Sequence, residues 1–115
     1  MPVVFVIAED WTLRTAVRAE LREMGIEALG MESVEDAGRA IAEGAAPSAV
    51  VLEATSRNAG HKGLTSLARQ VPVLVVASRT TTSPFPEQAA AVFYRPVRVA
   101  EIVARVKQLL EGEAA

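Results

Sequence analysis

Glu9 and Asp10 stand side by side, directly after an apolar run over residues 3–8 and directly before a stretch of helical period. Two adjacent carboxylates repel each other, so they make a poor structural device at such a junction. They make a good cation site, because hard cations prefer oxygen donors. Related positions recur later. Glu53 follows the apolar run 49–52, Ala77 and Ser78 close the run that begins at Val73, and Arg95 follows the run 91–94, with Pro96 next to it. Three acids and one guanidinium spaced in this way can gather a cation or pair with one another.

The rest of the chain has to bring these positions together. Half of its 115 residues are apolar and 23% are charged, which suits one compact domain with a core of its own. The formal charge of -2 provides no broad positive field for phosphates, so nucleic acid is not an expected partner. The absence of cysteine excludes disulfides and thiolate metal sites. The first residues lack a basic segment and reach acids after a short apolar run, which reads as a strand and not as a signal peptide. No run approaches the roughly 20 apolar residues that cross a bilayer, so no membrane contact and a cytoplasmic location are expected.

Short apolar runs alternate with stretches of helical period, the pattern of a parallel sheet with helical crossovers. The runs 3–8, 49–52, 73–77 and 91–94 are continuously apolar, as strands covered on both faces should be. Residues 26–31 alternate more and include Glu27, which suits an edge strand. Leu13, Val17, Leu21 and Met24 share one face of a first helix, and Gly25 is placed to end it in a left-handed conformation. Ser33 with Asp36 three positions on should cap a second helix that turns Val34, Ala37 and Ile41 inward until Gly44 and Pro47 stop it. After a polar loop over 55–63, a third helix uses Leu64, Leu67, Ala68 and Val71. The last repeats Val99, Ile102, Val103, Val106, Leu109 and Leu110 at three and four residues. Between Ser78 and Ala91 the threonines and prolines leave room for about two turns of helix at most, so a fourth helix region should be shortened to a loop.

The expected architecture is therefore a single doubly wound α/β sheet of five parallel strands in the order 2-1-3-4-5, over residues 1–111, with 112–115 as a short tail. Ligands of such folds bind at the carboxyl ends of the strands, and Glu9, Asp10, Glu53, Ala77, Ser78 and Arg95 all fall there.

These residues resemble the receiver domains of two-component response regulators, and the resemblance spans essentially the whole chain. Receivers carry an acidic pair after the first strand, as Glu9 and Asp10 stand here. The stretch 47–53 looks like the family's third strand, which ends in the phosphate-accepting aspartate; this chain has Glu53 at that position. The stretch 71–77 looks like the fourth strand, where the family places a switch threonine or serine; here it is Ala77, with Ser78 one place late. The stretch 92–96 looks like the fifth strand, which closes with Lys-Pro; here the lysine is Arg95. The resemblance implies a flavodoxin-like (CheY-like) fold, no enzymatic activity, magnesium held by Glu9, Asp10 and Glu53, and protein partners, a sensor kinase or an output protein. It allows a homodimer.

The departures from the pattern carry physical consequences. Glu53 is one methylene longer than aspartate, and a misplacement of about an ångström can cost on the order of a hundredfold in rate. Its one permanent charge imitates a phosphoryl group, roughly -1.5 to -2, only in part. Arg95 offers a planar fork that can hold a carboxylate and fix the crevice in one state through pairing with Glu53. The expected function is a stand-alone, degenerate receiver that signals by protein contact with weak or no phosphorylation. A working magnesium-dependent phosphoacceptor is the alternative. An enzyme or cofactor carrier fits less well. A flavodoxin needs a hydroxyl- and glycine-rich phosphate loop where this chain has acids, and aspartate-nucleophile phosphatases need two aspartates one residue apart where it has Glu9, Asp10 and Trp11. Trp11 is expected to pack at the helix start, His61 to be a solvated loop residue, and Arg14, Arg18 and Arg22 to form a solvated stripe.

Overall fold

The computed structural model describes residues 2–55, 58, 62–78 and 88–114. Along them run β1 (Val3–Ile7), α1 (Trp11–Glu23), β2 (Glu27–Met31), α2 (Val34–Ala42), β3 (Ala49–Glu53), α3 (Lys62–Gln70), β4 (Val73–Ala77), β5 (Ala91–Tyr94) and α4 (Val99–Ala114). The five strands form one sheet, all neighbours parallel, in the order β2-β1-β3-β4-β5. The register sets Ile7 between Met31 and Leu52, and Ala77 beside Tyr94, so the carboxyl ends of the strands open on one edge of the sheet.

The continuous apolar runs are explained by a core on each face. Successive strand residues point to opposite sides. Phe5, Ile7, Val50, Leu52, Val73 and Val75 meet Val34 and Ala37 of α2 and Leu64 and Leu67 of α3. Their neighbours Val4, Val6, Ala49, Val51, Leu74 and Val76 meet Val17 and Leu21 of α1 and Ile102, Val103 and Val106 of α4. Edge strand β2 is less covered, with Glu27 and Gly30 exposed, and on β5 Tyr94 is exposed.

Local chemistry sets the helix ends. Asp10 caps α1, and Gly25 follows it at φ +78, a conformation that glycine adopts without a Cβ clash. The helix stops at Glu23, so Met24 leaves the inward stripe it was expected to join and is exposed; Val17 and Leu21 carry the buried face. Ser33 caps α2 by accepting the Asp36 N–H at 3.2 Å. Helix α4 continues through 112–114, residues that read as a tail in the sequence. The expected shortened fourth helix falls largely on 79–87, outside the described residues, as does His61.

One buried polar residue ties two loops together at the site end of the sheet. Asn58, 1% exposed, accepts the Val34 N–H at 3.2 Å through Oδ1 and donates from Nδ2 to the Glu32 carbonyl at 3.4 Å, while its own N–H donates to Thr55 Oγ1 at 3.2 Å. It holds the chain after β3 against the first turn of α2. Truncating it leaves buried polar groups unsatisfied, which costs about 1–3 kcal/mol. Asn58→Ala is expected to lower the urea midpoint accordingly, followed by circular dichroism, with the slope of the transition unchanged.

Candidate functional site

The site is built where three strand ends converge. Beyond Ile7 the ladder continues for one bond, from the Ala8 N–H to the Met31 carbonyl at 2.9 Å. The next two N–H groups, of Glu9 and Asp10, find a side chain instead: both donate to Glu53 Oε1, at 2.9 and 3.0 Å. Glu53 is the last residue of β3, beside β1, and its side chain is 12% exposed. Its other oxygen, Oε2, accepts from Arg95 Nη2 at 2.6 Å. Arg95 follows β5 and is anchored by its own N–H, which donates to the Ala77 carbonyl at 2.8 Å.

Asp10 completes the cluster and divides its two oxygens between two tasks. Oδ1 caps α1 by accepting the N–H groups of Thr12 at 2.9 Å and Leu13 at 3.3 Å. Oδ2 faces the Arg95 guanidinium, 3.4 Å from both Nη1 and Nη2. The Leu13 N–H is the main cause that holds the Asp10 carboxyl below its ordinary value; burial opposes it, and the Thr12 N–H and Arg95 reinforce it. The fork of Arg95 therefore bridges two carboxylates: both arms reach Asp10 Oδ2, while Glu53 is held by Nη2 alone. The short contact goes to Glu53.

The other expected residues divide. Glu9 contributes its backbone N–H to the cluster, while the residue is exposed. Ala77 is 4% exposed and lends its methyl to the core with Ile7, Leu52 and Ala54. Ser78, one residue past β4, is half-buried. Trp11 does not pack at the helix start: it is 68% exposed at the first position of α1. Arg14 is more than part of a solvated stripe, because its Nη1 donates to the Ala8 carbonyl at 2.6 Å and so ties α1 to the end of β1. Its stem and that of Arg18 lie over Gly30, where an added Cβ would come within 2.7 Å of Arg18 Cδ and 3.1 Å of Arg14 Cγ. Sequence reading passed over Asn58 and the bond from Arg14. A polar residue three after Thr55 is a turn signal that could have pointed to the former.

The magnesium position expected at Glu9, Asp10 and Glu53 fits this arrangement poorly. No group of three or more acidic, histidine or cysteine residues is placed to hold a metal among the described residues. The inward oxygens of Glu53 and Asp10 already face a guanidinium.

Comparison with known proteins places the fold. No family profile and no curated protein matches the sequence. Among solved structures, the receiver domain of the Francisella response regulator 1452 is similar over 98% of this chain and 99% of its own, at 19% identity and a TM-score of 0.79. A response regulator receiver protein from Burkholderia phymatum is similar over 96% of both chains, at 20% identity and 0.75. A response regulator from Thermotoga maritima is similar over 96% of this chain and 98% of its own, at 17% and 0.74. The chain thus has the receiver-domain fold of two-component response regulators. No helix among the described residues is long and apolar enough to cross a membrane.

The two tasks of Asp10 can be separated. Asp10→Ala removes the cap and is expected to cost about 1 kcal/mol in urea unfolding, whereas Asp10→Asn keeps an equally good cap and should cost less. Because the folded carboxyl titrates below its unfolded value, its contribution is complete above the ordinary carboxylate range and is lost as pH falls through the depressed folded value. A carbon-detected NMR titration of Asp10 should place its midpoint below that of a model aspartate.

Proposed function

We propose that this protein is a degenerate receiver: a signalling module of the two-component type that works through contact with a protein, a sensor kinase or an output protein, with phosphorylation weak or absent. The observation that carries the reading is the engagement of both Glu53 oxygens. One is held by the backbone N–H groups of Glu9 and Asp10, the other by Arg95.

A phosphoryl acceptor must present an oxygen in line with the leaving group, and transfer depends on positioning and charge stabilisation. An oxygen that attacks from the Glu53 position would first have to abandon either two backbone donors or a guanidinium. Its extra methylene also moves it about an ångström from where an aspartate would present it. The buried Ala77 offers no hydroxyl to follow an incoming phosphoryl group. Pairing between Glu53 and Arg95 instead holds the ends of β3 and β5 in one arrangement, so a partner meets a fixed surface. The fold supports a signalling role over an enzymatic one, and the cytoplasm is the compartment in which such a module would act.

Incubation with acetyl phosphate and magnesium is expected to add no phosphoryl group, read by intact mass, and beryllofluoride is expected to leave the amide resonances of Glu9, Asp10, Glu53 and Ser78 in place. Stoichiometric labelling of the wild-type chain at Glu53 would overturn this reading in favour of a magnesium-dependent phosphoacceptor.

A further inference from the structure

The four carboxylate oxygens of Glu53 and Asp10 are divided evenly between two kinds of donor. Glu53 Oε1 and Asp10 Oδ1 take backbone N–H groups, two each. Glu53 Oε2 and Asp10 Oδ2 both accept from the guanidinium of Arg95, at 2.6 Å and 3.4 Å. The two oxygens that converge are thus the two that a hard divalent ion would have to share, since such ions take carboxylate oxygens at about 2.0–2.6 Å.

We propose that Arg95 is the resident cation of this crevice, standing where a divalent ion would bind, and that its side chain is what keeps divalent ions out. Three physical points carry the inference. The guanidinium is covalently tethered, so it competes at a high local concentration that does not depend on the medium. Its planar fork reaches both carboxylates at once, a geometry that a single point charge does not reproduce. An incoming magnesium ion would also have to shed tightly held water before it could displace a hydrogen-bonded arginine. The proposal stands on the geometry of the crevice and is independent of the signalling reading.

It predicts a gain of function on deletion. With the guanidinium removed, Glu53 Oε2 and Asp10 Oδ2 are left facing each other with no cation between them, and two carboxylates with retained waters are a common magnesium or manganese arrangement. The test is a manganese titration of the nitrogen-15 amide spectrum of wild type, Arg95→Gln and Arg95→Ala. The glutamine variant, shorter than arginine but uncharged and still carrying an amide donor, serves if the alanine variant impairs folding.

Both variants are expected to show saturable paramagnetic broadening centred on Asp10 and Glu53, with an apparent affinity at least about tenfold tighter than wild type, a change of about 1.4 kcal/mol. Adding Asp10→Asn to Arg95→Gln should abolish it while preserving the helix cap. Wild-type broadening at Asp10 and Glu53 with the same affinity as the variants would overturn the proposal. So would folded variants that gain no broadening, or broadening that survives the Asp10→Asn change.

Discussion

Two backbone N–H groups at the exit of the central strand have no strand left to pair with, and the rest of the site follows from how they are satisfied. Beyond the Ala8 bond to Met31 the chain must turn into α1, so the N–H groups of Glu9 and Asp10 leave the ladder. The Asp10 N–H is part-buried, and a donor withdrawn from water without an acceptor costs free energy. A single carboxylate oxygen from the neighbouring strand, Glu53 Oε1, meets both. That bond fixes the Glu53 side chain across the top of β1, which in turn directs Oε2 towards β5 and Arg95. The side chain length matters in this chain of dependence, because the carboxylate must reach over the end of one strand while it faces another.

The arrangement is electrostatically economical. Asp10 and Glu53 bring two negative charges to a partly buried crevice, and Arg95 brings one positive charge, with helix-capping and strand-end N–H dipoles supplying the rest. Such a pair does not by itself make a fold more stable, since the cost of desolvation can exceed the attraction. Its effect is specificity: the ends of β1, β3 and β5, far apart in sequence, are held in one relative position. Asn58 performs a similar service on the other side of β1, where it binds the loop after β3 to the start of α2 with an uncharged side chain.

The framework was legible in the sequence because it is written in patterns that local physics enforces. Continuous apolar runs became two-faced strands, Ser33 became a cap, and Gly25 took a positive φ after α1. The residue types of the crevice could also be read, since each sits at a strand end. What could not be read was the partition of oxygens. Glu53 reaches the Glu9 and Asp10 N–H groups across more than forty positions, and nothing local in the chain records which oxygen takes which donor. Met24 and Trp11 were misread for the opposite reason. A hydrophobic side chain at a helix end looks inward by periodicity, but the end of the helix removes the surface it would have packed on.

The exposed position of Trp11 has an optical consequence. It is the sole tryptophan of the chain, directly follows Asp10, and is already largely in water in the native fold. Its indole emission will therefore change little when the whole domain unfolds, because unfolding moves it from one aqueous setting to another. The same emission can report a partner that covers the start of α1 beside Asp10, so the protein carries an intrinsic fluorophore that responds to contact there more than to denaturation.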